Sequence, residues 1–269
     1  MTADDCPSLD TYHVGSPHLG ASKIATYLKC PRQYEYSYVL KTPARKSVYA
    51  ALGVMIHFVC NKARAEHWTA KEAPLAAGLL TDLWAETRPV TDDPNNPNVA
   101  VSFDKARLEW LPWYLHFVQD QVDVCTEEHW VIELPEGTIP GQDLTITLEG
   151  TIDRVYHQDG IVVVSDIKSG ARKPSPADLN RDGQLSLYSW AVRQQGVRED
   201  ALELVWLRTQ ELLRTVRTDE YLAMYLEKTV LPVARGIAAG YFAANPNPIY
   251  GCNFCPYSHI CEVGVGCCE

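Results

Sequence analysis

The stretch EGTIDRVYHQDGIVVVSDIKSG, residues 149–170, holds two runs of apolar and β-branched residues on either side of Asp159 and Gly160. An Asp-Gly pair between such runs is a strong signal for a β-hairpin with a two-residue loop. If these two residues form the loop, the antiparallel pairing that follows brings Asp153 opposite Asp166. The stretch therefore predicts two paired strands with facing carboxylates.

Facing carboxylates repel each other across a strand pair, so another group must compensate their charge. Lys168 lies two residues beyond Asp166 and projects from the same face of its strand. A divalent cation is a second candidate, because a few carboxylates completed by water and substrate phosphate suit Mg²⁺ or Mn²⁺. Two interpretations stay open here: a metal site, or an exposed strand face on which Lys168 forms a salt bridge with one acid.

The residues around the hairpin predict the rest of a sheet. β-branched segments that begin near His129 and at residues 202–210 indicate further strands. Residues 178–196 predict a helix that crosses between strands, and residues 218–245 predict a long helix with Thr218 as its N-cap. The predicted sheet is mostly antiparallel.

The first half of the chain has the apolar periodicity of helices. Helices are predicted at residues 22–40 with an interruption at Pro31, and at residues 47–68, 73–86 and 102–124. In the second of these helices, the residues expected to be largely buried are Ala51, Val54, Ile56, Phe58 and Val59.

The composition is that of an ordinary globular protein, with 269 residues, 46% of them hydrophobic and 22% charged. Residues 1–18 carry turn formers without apolar periodicity and predict a flexible arm. The remainder, residues 19–269, predicts a single α/β domain. Its parts are a largely helical region (19–128), a region with the sheet, the hairpin and the crossing helix (129–217), and a long helix with a cysteine-rich tail (218–269).

The C-terminal tail contains five of the nine cysteines, and three of them are spaced Cys252-x2-Cys255-x5-Cys261. The sequence shows neither a secretory signal nor an apolar run of the ~20 residues that a membrane span needs, so a cytoplasmic protein without a membrane contact is expected. Clustered thiols in that compartment more often hold metal than form disulfides. Zinc and iron-sulfur sites both usually need a fourth ligand. The candidates are Cys6, Cys30, Cys60, Cys125, Cys267 and Cys268.

The net charge of −10 argues against a protein that coats nucleic acid without regard to sequence or structure. One segment is nevertheless basic: residues 23–46 contain six lysines and arginines and the single acid Glu35. This segment indicates either a solvated surface or a local path for nucleic acid.

Six motifs occur in order along the chain: ASKIATYLKCPRQYEY, GVMIH as G-x3-H, GTIDRV, SDIKSG as D-x-K, QLSLY as Q-x3-Y, and the C-x2-C-x5-C of the tail. Together they resemble the PD-(D/E)xK nucleases, and within them the branch of the RecB nuclease domain, AddB and the CRISPR-associated Cas-four exonucleases. The resemblance implies a restriction-endonuclease-like core, a mixed β-sheet flanked by helices. The stretch of residues 61–128 matches none of these motifs.

The same resemblance implies a role for each residue of the hairpin site. Asp153 and Asp166 would bind Mg²⁺ or Mn²⁺, with the Ile167 carbonyl as a further ligand, and His57 would face the metal from the second helix. Lys168 would orient or activate the attacking water and stabilise charge on the phosphate.

Other residues are implied to contact DNA. Gln184 and Tyr188 lie one helical turn apart, so they share a face that would meet DNA near the scissile phosphate, although packing of Tyr188 against the sheet stays open. Arg154 is interpreted as structural. Further DNA-binding candidates come from the basic segment: Lys23, Arg32, Arg45 and Lys46.

For the tail, the resemblance implies a 4Fe-4S cluster that joins the two ends of the chain. Its ligands would be Cys30, Cys252, Cys255 and Cys261. Zinc at the same four cysteines stays open. Cys60 and Cys125 are interpreted as buried small hydrophobes.

These features predict a metal-dependent DNA exonuclease that acts on single-stranded ends in recombination, repair, phage or CRISPR-related DNA processing. The alternative is a non-catalytic DNA-end-binding or adaptation-complex subunit that keeps the fold. The acid of the D-x-K motif is Asp166, where many Cas-four sequences have Glu, and this argues against a CRISPR adaptation role. The chain lacks the motor motif G-x4-G-K-[ST], so it is not expected to be a RecB or AddB subunit with its own motor. The expected partners are single-stranded DNA and a helicase, a recombinase or a CRISPR adaptation protein.

Overall fold

A computed structural model describes residues 17–45, 47–246 and 252–265. In these residues, six strands form one mixed sheet in the order β1-β3-β4-β5-β6, with β2 paired to β3. β1 runs parallel to β3 and β4 parallel to β5, whereas the other pairs are antiparallel. The strands are β1 (His18–Leu19), β2 (Val122–Leu134), β3 (Ile146–Gln158), β4 (Ile161–Lys168), β5 (Ala201–Trp206) and β6 (Glu211–Thr215).

The hairpin between β3 and β4 has the predicted loop. Asp159 and Gly160 have φ angles of 52° and 82°, the pair of left-handed conformations that a two-residue type I′ turn requires. The strands then pair in the predicted register. One step beyond the last regular pair of this ladder, Asp153 lies opposite Asp166.

The helices of the first half lie close to the predicted positions. They are α1 (Ala21–Lys29), α2 (Pro31–Tyr34), α3 (Val48–Ala65), α4 (Ala73–Thr87), α5 (Pro97–Lys105) and α6 (Leu111–Val118). Pro31 separates α1 from α2 as predicted, because proline fits the first turn of a helix but not its interior. A π-helical turn at Ala106–Trp110 joins α5 to α6.

The prediction of a helix over residues 102–124 is wrong at its C-terminal end. α6 ends at Val118, and β2 begins at Val122, ahead of the strand start that was predicted near His129. β2 pairs with β3 along nearly its whole length. Long-range backbone pairing, which a local pattern does not show, therefore decides the state of these residues.

The helices of the second half are α7 (Pro176–Asn180), α8 (Gly183–Gln194), α9 (Asp219–Tyr225), α10 (Leu231–Ala238) and α11 (Glu262–Val265). The helix predicted over residues 178–196 is in fact α7 and α8, because Asp182 accepts a hydrogen bond from the Leu185 N–H and starts a new helix. Thr218 caps α9 as predicted. The predicted helix over residues 218–245 ends early, at α10, where Gly240 has a φ of 67°.

Two apolar cores lie on opposite faces of β4 and β5. Val164 and Leu204 belong to the core that includes α1 and α8 to α10, whereas Ile167 and Val205 belong to the core of α3 to α6. Because successive side chains of a strand point to opposite faces, the sheet lies between two helical layers. The predicted mixed sheet flanked by helices is confirmed.

One burial prediction for α3 is wrong. Ile56 and Val59 are buried as predicted, but Val54 is 71% exposed and Phe58 is 51% exposed. They lie four residues apart on the same side of the helix. α3 therefore presents an apolar stripe outside the core.

The two ends of the described chain are in contact. The Tyr27 hydroxyl donates to the Tyr241 carbonyl at 2.7 Å, and the Tyr257 hydroxyl donates to the Thr42 carbonyl at 3.2 Å. Of the arm expected at residues 1–18, residues 1–16 lie outside the described residues. His18 already belongs to β1, which pairs with β3. Among the described helices, none is long and apolar enough to span a membrane.

Candidate active site

Three charged side chains meet where the hairpin ladder ends. The Asp166 carboxylate is 1% exposed, and its Oδ2 lies 2.6 Å from the Nζ of Lys168. Asp153 lies beside it and accepts a hydrogen bond at Oδ2 from the Ile167 N–H at 3.0 Å. The β3–β4 register thus holds two carboxylates side by side, and an ammonium group and a backbone N–H compensate them.

Burial raises the pKa of Asp166 to about 7; the Lys168 ammonium opposes this shift, and the Asp153 carboxylate adds to it. Burial lowers the pKa of Lys168, but the two carboxylates raise it more, and the net direction is upward. Burial dominates the pKa of Asp166 because this side chain has almost no exposed surface. The Lys168 side chain keeps 30% of its surface in contact with solvent, so the nearby carboxylates outweigh burial there. Without a further positive charge, Asp166 gives up its proton only near neutral pH.

Gln184 and Tyr188 of α8 complete a hydrogen-bond chain around these charges. The Gln184 amide donates to Asp166 Oδ1 at 2.8 Å and accepts from Lys168 Nζ at 2.8 Å. The same amide nitrogen lies 2.7 Å from the Tyr188 hydroxyl, which donates to the Thr151 carbonyl at 2.5 Å. Both predicted residues therefore reach the site, and Tyr188 also packs in the core.

The start of α8 is fixed by a buried arginine that has no acid partner among its hydrogen bonds. Arg217 donates to the Leu179 and Asp182 carbonyls at 2.9 and 3.2 Å and to the Ser186 hydroxyl at 2.9 Å. Leu179 lies in α7, and Asp182 is the N-cap of α8. Arg217 therefore positions the first turn of α8, on which Gln184 lies.

His57 approaches Asp153 from α3. Its Nδ1 lies 3.4 Å from Asp153 Oδ2. Burial lowers the His57 pKa, but the hydrogen bond and charge of Asp153 and the charge of Asp166 raise it more, so its net pKa is above the ordinary value. A β-carbon added to Gly53, one turn earlier, would lie 3.5 Å from the Ser169 hydroxyl, which is an ordinary van der Waals distance. This part of α3 therefore lies close to the end of β4.

A further acid at this site, Glu127, was missed in the sequence. The β2–β3 register on both sides of it places Glu127 across from Asp153. Burial and the Asp153 charge raise its pKa, and Asn61 of α3 donates to its carboxylate. The available signal was the segment VDVCTEEHW, which becomes informative only when it is assigned to a strand that begins at Val122.

The four predicted cluster cysteines line one cavity: Cys30, Cys252, Cys255 and Cys261. Asn245 lines the same cavity; its side-chain amide donates to the Lys29 carbonyl at 3.0 Å, and its backbone N–H lies 3.4 Å from Cys30 Sγ. Burial raises the Cys255 pKa and outweighs the opposing effects of a backbone hydrogen bond at Tyr257 and the Lys29 charge; the proximity of Cys30 and Cys261 adds smaller upward contributions. Residues 267 and 268 lie outside the described residues.

A comparison with family models agrees with this geometry. The model of the PD-(D/E)XK nuclease superfamily matches residues 18–262. The chain belongs to the PD-(D/E)XK nuclease superfamily. The superfamily match spans β1, the hairpin, α8 and the cysteine segment, so it covers the whole of the site described above.

Other comparisons add little to the superfamily assignment. A search of curated proteins found no match. A solved structure titled "Crystal structure of SSO0001" is similar to this nuclease over 92% of this chain and 86% of its own, with 12% sequence identity and a TM-score of 0.43. A likeness at that level carries no argument about function.

PD-(D/E)XK nucleases usually use Mg²⁺ or Mn²⁺, and the donor set here fits such an ion. The described residues contain no group of three His, Cys, Asp or Glu side chains close enough to hold a metal ion. Mg²⁺ needs fewer protein ligands, since it binds through one or two carboxylates, water and substrate phosphate. Asp166 Oδ2 is buried and, despite its contact with Lys168, has no partner in hydrogen-bond geometry. An oxygen of this kind, beside Asp153, suits a hard cation.

The predicted basic residues that the structure describes have different local surroundings. Lys23 is paired with Glu149 at 2.7 Å, and Arg32 is paired with Glu35 and lines the cysteine cavity. Arg45 is exposed and lines a groove beside α3. Lys46 lies outside the described residues.

Two residues have structural roles, as interpreted from the sequence. Arg154 is buried, donates to Asp123 at 2.5 Å and stacks over Tyr156 at 4.1 Å. Cys60 is buried in the core of α3 to α6. In contrast, Cys125 is only partly buried.

The raised pKa of Asp166 predicts a pH-dependent stability. Folding raises this pKa from an ordinary value near 4 to about 7, so the folded state binds more protons than the unfolded state between these values. The stability contributed by the protonated group is therefore lost as the pH rises through this window. In EDTA, we expect the Tm of Asp166→Asn relative to wild type to increase from about pH 5 to about pH 8, measured by calorimetry.

The matched control is Asp159→Asn in the exposed hairpin loop, where asparagine also accepts the positive φ. Its Tm difference from wild type should not vary with pH over the same window. A constant difference for Asp166→Asn would show that this carboxyl is not strongly desolvated.

Proposed function

We propose that this chain is a divalent-metal-dependent deoxyribonuclease whose active site is formed by Asp153, Asp166 and Lys168. The observation that carries the proposal is the pair of facing carboxylates with an ammonium group 2.6 Å from the buried one, in a chain of a nuclease superfamily. Burying a carboxylate next to another costs free energy. A strand with only a structural role has no need of this arrangement.

The chain's own residues divide the catalytic work. Asp153 and Asp166 would hold Mg²⁺ or Mn²⁺, with the Ile167 carbonyl as a further ligand and His57 beside Asp153. When bound, the ion supplies positive charge that polarises the phosphate and lowers the pKa of a bound water. Lys168, whose ammonium group lies 2.6 Å from Asp166 Oδ2, would orient or activate the attacking water and stabilise charge on the phosphate.

The hydrogen-bond chain of α8 orients this lysine. Lys168 Nζ donates to the Gln184 carbonyl oxygen at 2.8 Å, so the ammonium group keeps one fixed partner when Asp166 binds a cation. The Tyr188 hydroxyl anchors the Gln184 amide from the other side. We infer that Gln184 and Tyr188 position Lys168 and contact DNA beside the scissile phosphate.

We further infer that the enzyme is an exonuclease on single-stranded DNA ends. The support is the set of six ordered motifs, which resembles the RecB, AddB and Cas-four branch rather than the superfamily at large. Because this stretch of sequence carries no nucleotide-binding motor motif, the single strand would be supplied by a separate helicase, recombinase or CRISPR adaptation protein.

The resemblance to the same branch supports the proposal that the four cysteines hold a 4Fe-4S cluster. All four line one cavity. A cluster of four irons takes one thiolate per iron, so four cysteines complete its ligand set. A structural zinc ion takes the same number of ligands, and it is the resemblance to that branch that favours a cluster over zinc.

Substitutions in the hairpin test the proposed activity. Asp166→Asn and Lys168→Ala should each lower the cleavage rate of end-labelled single-stranded DNA by about a hundredfold or more, because each removes charge stabilisation from the transition state. The assay uses Mn²⁺ or Mg²⁺, and EDTA should stop the wild-type enzyme.

The controls are Asp159→Asn and Lys105→Ala, both at exposed positions away from the site. They should cleave at the wild-type rate. Equal cleavage by all variants would exclude this active site, and DNA-end binding without cleavage by the wild type would favour a non-catalytic subunit.

The cluster is tested by metal content. Cys30→Ala should lose iron, acid-labile sulfide and visible absorption, and its Tm should fall because the cluster joins distant segments of the chain. Anaerobically purified proteins are compared by metal analysis and absorption spectroscopy. Cys125→Ala, at a half-buried cysteine outside the cavity, should keep its iron. Zinc in the wild type, or full iron in Cys30→Ala, would contradict the assignment.

A further inference from the structure

The apolar stripe of α3 forms the floor of an open groove. Ala50, Val54 and Phe58 follow each other at intervals of four residues and all line it. Val54 is 71% exposed and Phe58 is 51% exposed. A contiguous exposed apolar surface of this kind is more often a binding site than a surface without function.

The far wall of this groove is the cysteine segment. Phe254, which is 78% exposed, lines the groove together with Cys255 and Pro256. Tyr49, at the start of α3, adds a third aromatic ring that is 49% exposed. The groove thus presents three solvent-exposed rings, two on α3 and one between Cys252 and Cys255.

The groove continues into the candidate active site. Val54 and Phe58 also line the adjoining depression, whose other residues include His57, Asn61 and Glu127. From Ala50 to Asn61 the helix rises about 16 Å, at about 1.5 Å per residue. A ligand lying along α3 would therefore extend from the cysteine segment to the residue that contacts Asp153.

The charges of the groove restrict its occupant. Arg45 lines one side, whereas Asp92 lines the groove near α3 and accepts a hydrogen bond from the Val48 N–H, and Glu127 lies at the active-site end. The carboxylates of Asp92 and Glu127 repel the negatively charged phosphates of DNA. They do not repel its bases, which are uncharged. Every nucleobase has a π-face that stacks on an aromatic ring, and duplex DNA keeps these faces inside the helix.

We propose that this groove binds the bases of a single strand by stacking on Phe58, Phe254 and Tyr49, and leads that strand to the hairpin site. The inference rests on the proposed nuclease function and adds the path and the mode of binding. Since Phe254 lies between two of the cavity cysteines, their arrangement sets the position of its ring. Loss of the group that they hold should therefore weaken strand binding as well as stability.

The test compares a strand with bases to a strand without them. Fluorescence anisotropy in EDTA, where the strand stays intact, measures binding of labelled oligothymidylate and of an abasic phosphodiester of equal length and charge. Wild type should bind oligothymidylate more tightly. Phe58→Ala and Phe254→Ala should each weaken that binding by between about fivefold and about a hundredfold, with little effect on the abasic strand.

Four further variants separate stacking from other causes. Phe58→Tyr should keep the affinity, because the ring is retained, whereas Phe58→Leu should lose it although its side chain is still apolar. Arg45→Glu should weaken both oligonucleotides alike, since phosphate contacts do not depend on bases. Tyr241→Ala removes a ring that is 61% exposed and lines none of these grooves, and should change neither affinity.

The outcomes that overturn the inference differ from those that overturn the nuclease proposal. Failure of wild type to prefer the base-bearing strand, or equal binding by Phe58→Ala, shows that the groove does not stack bases. A dimer in light scattering without DNA that Phe58→Ala dissociates shows that a second copy of the chain occupies it. Either result leaves DNA cleavage by wild type intact if the nuclease proposal is right, whereas absence of cleavage refutes that proposal whatever the groove binds.

Discussion

The site depends on the repulsion between two carboxylates that the backbone holds together. Asp153 and Asp166 are brought opposite each other by the β3–β4 register, which neither side chain can change. Each is compensated locally, Asp153 by the Ile167 N–H at 3.0 Å and Asp166 by Lys168 at 2.6 Å. We propose that a divalent ion bound by both carboxylates would compensate their charge more fully than these two groups do.

Elements on both faces of the sheet serve to hold this charged centre. From one side, α8 brings Gln184, and its first turn is fixed by the buried Arg217 through backbone carbonyls. From the other layer, α3 brings His57 Nδ1 within 3.4 Å of Asp153 Oδ2. The same helix presents Phe58 to the groove that adjoins the site. The residues that position the proposed catalytic charges and those proposed to guide the substrate thus share one scaffold.

The sequence predicted the parts of the structure that depend on local chemistry. The Asp-Gly loop set the hairpin and its register, and this register predicted the opposition of Asp153 and Asp166. Pro31 and Thr218 marked helix boundaries for steric and hydrogen-bonding reasons that act within a few residues. The Q-x3-Y spacing correctly placed Gln184 and Tyr188 on one helix face, which proved to point at the site.

Features that depend on distant partners were not predictable in this way. Residues 122–128 form a strand because β3 offers them backbone partners, so Glu127 was not placed at the site. Lys23 looked free in the sequence, but Glu149 of β3 neutralises it. The exposure of Phe58 could not be predicted either, since an apolar residue on a helix gives no sign of whether a neighbouring element covers it.

Mn²⁺ binding, measured by calorimetry in the absence of DNA, shows whether the hairpin register creates a divalent-metal site. We expect wild type to bind Mn²⁺ with proton release near neutral pH. Asp153→Asn and Asp166→Asn should each weaken this binding by about tenfold or more, while Asp159→Asn should leave it unchanged. Equal Mn²⁺ affinity in wild type, Asp153→Asn and Asp166→Asn would contradict a divalent-metal site at this hairpin.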